Sequence, residues 1–346
     1  MMNRLTLQRI DELLLRAQGL RIAVLGDLML DVYLEGSVTR ISPEAPVPVV
    51  QVTEERSALG GAANVAANIA MIGAGCDLLG YVGTDDAGRS LRAALAELGG
   101  GAIRARLVER GDRPTTTKTR VMARRHQVVR FDREQEDDLS DECAMELRAL
   151  VREAVAGADA LVLEDYNKGV LFPRVIRSAL DAASEAGIPS VVDPKFRNFW
   201  EYGGATVFKP NALELGAAVG AAIRPDDDSW LEEMRIRLGC GHLLLTLGEE
   251  GMVLRSDSGE SLRIPTEARE VFDVSGAGDT VTAFLAVGLA AGASVQEAAR
   301  LAGYAAGIGV AKHGVAVITP EELRELAGSR LAPGFDEAPT PSTQES

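Results

Sequence analysis

At 346 residues, with 46% hydrophobic and 25% charged residues, the chain can bury a large α/β core. Its net charge of −15 leaves no basic face for nucleic acid and disfavours an anionic membrane surface. Cys76, Cys143 and Cys240 are odd in number and far apart, and His126, His242 and His313 lack metal-ligand spacing. These residues read as reduced thiols and isolated imidazoles of a cytoplasmic protein, not as a disulfide framework or a metal cluster.

In chain order, residues 1–20 form an amphipathic helix without the apolar core or cleavage site of a signal peptide. "RIAVLGD" (21–27) is a buried strand, "GGAANVAANIAMIGA" (60–74) a helix entered through a glycine pair, "DLLGYVG" (77–83) a strand and "AGRSLRAALAELG" (87–99) a helix. Strands follow at 158–166, 188–195, 205–211 and 240–248, with helices between them, as at 172–187 and 277–291. Short apolar strands alternating with helices predict a mostly parallel central sheet between two helical layers. Residues 41–55 are Pro-rich and extended, and residues 115–134 are β-branched and alternating. Neither has a helical period, so both are expected as strands of a small separate sheet, and their polar and charged residues, which a sheet core would not want, put one face toward substrate and one toward a partner subunit. No run is long enough for a membrane helix. The expected boundaries are 1–328 for the domain and 329–346 for a disordered Pro- and Ser-rich tail.

"DVSGAGDT" (273–280) carries the clearest chemistry. Gly276, Ala277 and Gly278 let backbone N–H groups at a helix start approach an anion closely. Asp279 follows at once. A carboxylate base beside an anion hole suits phosphoryl transfer, in which the base takes a hydroxyl proton while backbone dipoles stabilise the moving charge.

Together with "GGAANVAANIAMIGA", "KPNALE" (209–214) and "TLGEEG" (246–251), this motif resembles the ribokinase (PfkB) family of sugar kinases, in order and in separation, over roughly residues 20–327. No Walker A motif is present. Within the family, "RISPEAPVPV" (40–49), "TKTRVMARRHQVVRFD" (117–132), "EDYNKG" (164–169) and "DPK" (193–195) look like the kinases of D-glycero-β-D-manno-heptose 7-phosphate. The resemblance implies a ribokinase-like αβα sandwich with a small β-sheet lid. It also implies ATP-dependent phosphorylation of that sugar at C1, with another ribokinase-like kinase of ribose, fructose or a hexose phosphate as the alternative.

The resemblance implies roles residue by residue. Asp279 is the base, and Gly276, Ala277 and Gly278 form the anion hole. Asn211 and Glu214 form an NxxE motif that positions phosphates and a water-bound Mg²⁺. Thr246, Gly248 and Gly251 lie under the nucleotide. Asp27 and Asp31, taken as ending the first strand, face sugar hydroxyls, and Gly60, Gly61 and Asn64 form the sugar-side signature. A monovalent cation is expected near Asp273 and Ser275. A sugar phosphate dianion needs cations, and the candidates are Arg40, Lys118, Arg120, Arg130, Lys168 and Lys195, with Arg120, Lys168 and Lys195 preferred. Gly303, where such kinases carry Asn, and Val315, where Thr is common, depart from the pattern near the adenine and cation loop. The exposed apolar residues of the lid predict a homodimer joined through it.

Overall fold

In the computed structural model, residues 5–331 are described except Arg125, Arg269 and His313. The chain enters through α1 (Leu7–Ala17), where Ile10, Leu13, Leu14 and Ala17 form one buried stripe at helical spacing. β1 (Arg21–Gly26) follows, with alternate residues packing into different layers: Ile22 and Val24 on one side, Ala23 and Leu25 on the other. This is why the strand reads as a continuous apolar run.

The chain then leaves the body in β2 (Leu28–Ile41) and returns in β3 (Pro48–Gly61). α2 (Ala62–Met71), β4 (Gly75–Gly83), α3 (Asp86–Glu97) and β5 (Ile103–Arg110) rebuild the body. β6 (Thr116–Ala123) and β7 (His126–Arg133) complete the lid. After α4 (Asp141–Val155) come β8 (Ala160–Glu164), α5 (Pro173–Ala186), β9 (Ser190–Asp193), β10 (Val207–Phe208), α6 (Ala212–Val219) and α7 (Asp228–Leu238). β11 (His242–Thr246), β12 (Met252–Arg255), β13 (Ser261–Ile264), α8 (Ala277–Ala290), α9 (Val295–Gly309) and α10 (Pro320–Leu331) close the described chain.

The body sheet has the order β13-β12-β11-β10-β9-β8-β1-β4-β5, parallel from β11 to β5 with an antiparallel hairpin at the β13 edge. α1, α2, α8, α9 and α10 cover one face, and α4, α5 and α7 the other. The lid has the order β3-β2-β6-β7. The expected α/β sandwich and separate small sheet are therefore present, with two corrections. β1 ends at Gly26, so Asp31 lies inside the lid strand β2 and not at the end of the first strand. The 41–55 segment is not one strand: β2 and β3 are long partners, and residues 42–47 make the turn between them, because the prolines there cannot join a ladder. The 329–346 tail falls mostly outside the described residues, but α10 runs on to Leu331.

The lid is amphipathic by register. Tyr33 pairs with Arg56 and with Arg120, which pairs with Arg130, so these residues share one face with Asp31 and Lys118 two positions away. Val32, Leu34, Val121, Val129 and Phe131 share the opposite face.

Candidate active site

The candidate groups gather at the carboxyl ends of the parallel strands, where ligands of open α/β sheets bind. Asp27 follows β1, Glu164 and Asp193 end β8 and β9, Lys209 follows β10, and Thr246 ends β11. α8 begins against them. Gly276, its N-cap, has φ +76°, and a Cβ there would lie 2.7 Å from Asn64 Nδ2. This close approach and positive φ both require glycine.

Asp279 lies in the first turn of α8 and is buried. Asn64 Nδ2 donates to its Oδ2 at 2.8 Å, and the Tyr166 hydroxyl donates to Oδ1 at 2.6 Å. Burial raises the Asp279 pKa above its ordinary value, and the hydrogen bonds from Tyr166 and Asn64 work against that rise. Burial, then the Asp279 charge, keeps the Tyr166 phenol protonated and so a donor. The carboxylate is thus held in one orientation beside the backbone of residues 276–278, which is the geometry a general base needs.

Asp27 is placed differently from a sugar ligand. Its Oδ2 accepts the Tyr166 and Lys168 N–H groups at 2.8 and 2.9 Å, and its Oδ1 accepts that of Val170 at 3.1 Å. Buried among these donors, it folds the 166–170 loop and so aims Tyr166 at Asp279. Gly61, with φ +58°, gives the lid its return path into α2, and a Cβ there would lie 2.5 Å from the Asp27 carbonyl oxygen. Gly60 leaves room for Asp31, which pairs with Arg120 across β2 and β6. Arg56 stacks over the Tyr33 ring at 3.8 Å, and its guanidinium lies close to Gly314. The charged lid face therefore meets the body.

Asp273 joins two loops: its Oδ1 accepts Ser275 N–H at 2.9 Å and its Oδ2 accepts Gly314 N–H at 3.1 Å. On the far side of the anion hole is a largely apolar cavity of about 480 Å³. Thr246, Gly248 and Gly251 line one end, Val274, Ala277 and Gly278 another, and Gly303 part of the wall. Asn211 and Glu214 form a reciprocal capping box at the start of α6, with Glu214 N to Asn211 Oδ1 at 2.8 Å and Asn211 N to Glu214 Oε2 at 2.9 Å. The other Glu214 oxygen pairs with Lys195.

The model of the pfkB family of carbohydrate kinases matches residues 20–322. The chain belongs to this family. It is therefore a carbohydrate kinase. It is 47% identical over 315 residues to the bifunctional protein HldE of Caulobacter vibrioides, which covers 90% of this chain and 64% of that protein. The chain thus spans just under two thirds of the length of the curated relatives it matches. Among solved structures, Arabidopsis thaliana ribokinase complexed with ribose and ATP superposes with a TM-score of 0.71 at 21% identity, covering 89% of this chain and 99% of that one. Escherichia coli phosphofructokinase-2 in complex with potassium gives 0.74 at 21% identity, covering 90% and 99%. Both share the ribokinase-like fold.

In this pfkB kinase, Asp279, Gly276, Ala277, Gly278 and Asn64 form one cluster, and Thr246, Gly248 and Gly251 line the adjoining cavity. The basic candidates scatter. Arg120 is held by Asp31, Lys195 by Glu214, and Lys168 by Glu134 and Glu136 at 2.9 and 3.0 Å. Lys118 also faces Glu134, at 3.7 Å, whereas Arg40 and Arg130 are exposed. Lys195 Nζ lies 5.1 Å from the centre of the Tyr166 ring. Val315 packs beside Gly276 and does not line that cavity, whereas Gly303 does. The sequence reading did not single out Tyr166, Glu164, Asp193 or Lys209, although three quoted motifs, "EDYNKG", "DPK" and "KPNALE", contain them. Their common position at strand ends was the available signal. Among the described residues no helix is long and apolar enough to cross a membrane.

Proposed function

We propose that this carbohydrate kinase transfers the γ-phosphoryl group of ATP to the C1 hydroxyl of D-glycero-β-D-manno-heptose 7-phosphate. The observation that carries the chemistry is the buried Asp279, fixed by Asn64 and Tyr166 beside the 276–278 backbone. Asp279 takes the hydroxyl proton as the sugar oxygen attacks phosphorus, the bond to ADP breaks, and the N–H groups at the start of α8 stabilise the equatorial oxygens. The choice of sugar is supported by the heptose-kinase-like motifs of β2, β3, β6 and β7 and by 47% identity to an HldE protein.

ATP suits the cavity: its apolar wall can take a base, and its Gly278 end opens on the anion hole. Glu214 would hold a hydrated Mg²⁺ only through water, because Lys195 and the capping box hold the carboxylate, and the ion would supply charge neutralisation at the phosphates. Lys195, paired with Glu214 and set over the Tyr166 ring, is the cation assigned in this reading to the transferred phosphoryl group. A monovalent cation belongs at the loop pair that Asp273 joins, next to Ser275. Lys118 and Lys168 converge on Glu134 and are the natural takers of the 7-phosphate, with Arg120 ordering the lid above the sugar. A two-fold dimer through the apolar lid face completes the assembly. The kinase domain is taken as residues 1–328.

A panel of sugars with purified protein tests the substrate. Turnover with heptose 7-phosphate and none with free hexoses is the expected result. Turnover of ribose, fructose or a hexose phosphate in its place would assign the enzyme to another ribokinase-like activity.

A further inference from the structure

Behind Asp279 lies a group that the chemistry above does not use. Glu164 ends β8 with no exposed surface, and among the described residues no donor reaches either of its carboxylate oxygens. A fully buried carboxylate without a single donor is among the costliest arrangements a protein can hold. The same carboxyl as an acid needs only an acceptor, and acceptors are present. One oxygen each of Glu164, Asp193 and Asp279 lie within 4.8 Å of one another.

The surrounding charges come from four elements. Asp193, at the end of β9, accepts from Lys209 Nζ at 2.8 Å, and Lys209 is itself buried. Thr282 of α8 reaches the same Asp193 oxygen at 3.4 Å. A Cβ on Gly278 would lie 3.6 Å from Asp193 and 3.7 Å from Lys209 Nζ, so this ion pair sits directly beneath the anion hole. Asp279 comes from α8, Tyr166 follows Glu164 in its own chain segment, and Lys195 adds a more distant positive charge. With Asp193, Lys209 and Asp279 charged, the set carries one net negative charge. An ionised Glu164 would make two, in a fully buried space. Lys209 cannot offset both carboxylates, because Asp193 already takes it.

We propose that Glu164 is a positioning residue that remains protonated, donates to Asp193, and so leaves Asp279 as the ionised base. Two consequences follow for the reaction. The donated hydrogen bond holds Asp193, and through it the Lys209 ammonium, under the Gly278 amide where phosphoryl charge develops. A neutral neighbour also spares Asp279 the repulsion that would otherwise keep its own proton on at neutral pH. Burial, followed by the negative charges of Asp193 and Asp279, acts on Glu164 in the same direction. The inference rests on Asp279 being the base but not on any particular sugar, so the substrate found by the panel serves for the assays.

Glu164→Gln keeps the shape, the neutrality and a donor. Its kcat should stay within about threefold of the parent, and the acid limb of kcat/KM, which reports the free base, should not move. Were Glu164 ionised in the parent, removing that charge would shift the acid limb down by about one unit or more, and this result would overturn the proposal. Glu164→Leu removes the donor, and kcat should fall about tenfold or more with little change in either KM. A Leu variant with parental kcat would also overturn it. If the Leu variant does not fold, the Gln profile decides the question. A readout independent of turnover is the infrared difference between parent and Glu164→Gln at neutral pH. It should contain a carboxylic-acid C=O band in the parent, and a carboxylate band there instead would refute the assignment. Loss of the base reading itself would appear separately, as an active Asp279→Asn enzyme.

Discussion

Asp279 shows how much one side chain depends on its neighbours. Its carboxylate is useful because Asn64 and Tyr166 fix it, and Tyr166 is aimed by Asp27, which accepts three backbone N–H groups from the loop. Asp279→Asn keeps the size and removes the base, so kcat should fall by about 10²–10⁴ while nucleotide binding, measured calorimetrically, persists. Near-normal turnover would remove Asp279 from the mechanism. Glu214→Gln keeps the capping box, since glutamine can fill it, but leaves Lys195 without its carboxylate. Turnover should drop and recover in part at raised Mg²⁺, and a drop unaffected by Mg²⁺ would assign Glu214 to the cap alone. Asp165 offers a pH test. Burial, then the Asp27 charge, pushes its pKa up to about 7, against hydrogen bonds from Tyr202 and the Asn167 N–H. The folded state therefore binds more protons than the unfolded state between about pH 4 and pH 7, and stability falls as pH rises through that window. Asp165→Asn should remove the loss and gain on the parent by up to about 4 kcal/mol above pH 7, with the gap closing near pH 4. Urea midpoints at several pH values would show this, and a gap constant with pH would contradict it.

At the scale of elements, α2 and α8 are the pair that makes the site. Both are rich in Ala and apolar around most of their circumference, so they bury against each other as well as against the sheet. This packing brings Asn64 to Asp279 across 215 residues of sequence. The joint is tight at Gly276. Gly276→Ala would force a side chain into positive φ, at about 1 kcal/mol or more, and push its Cβ against Asn64 Nδ2. Asn64 would turn from Asp279, and kcat should fall by about tenfold or more, the cost of a lost hydrogen bond to a charged group, with the melting temperature lowered by a few degrees. A parental kcat with the same loss of stability would show that the Asn64 contact does not matter to the reaction. The helix itself was legible in "VTAFLAVGLAAG", and α8 indeed runs from Ala277 to Ala290. β2 was not legible as one strand. Its first half is buried in the body and its second half is exposed in the lid, so neither a continuous apolar run nor a clean alternation marks it.

At the scale of the whole molecule, the apolar face of the lid packs on the body at Val32 and is exposed at its outer strand among the described residues. Val129 and Phe131 are 49% and 54% exposed, with β3 and β7 as open edges of the sheet. Edges and apolar faces of this kind are covered in working proteins, most simply by a second copy. Val129→Asp should convert a dimer to monomers and weaken sugar binding, because the opposite face of the same strands carries Tyr33, Arg120 and Lys118. Sedimentation at micromolar concentration checks this, and a fully active monomeric parent would rule it out.

By itself the sequence determined the layer order, the separate small sheet, and the motifs that place the chain in its family. These follow from periodicity and from short local patterns, such as glycines before a helix start, that keep their meaning wherever the chain goes. The tertiary structure decided what the charged residues do. Asp27 folds a loop, Asp31 pairs with Arg120, Lys195 stands beside Glu214, and Glu164 is sealed next to Asp193. A carboxylate or an ammonium takes its role from the partner within a few ångströms and from the water it loses. Both are set by which strand ends the sheet brings together, over separations that no local pattern records.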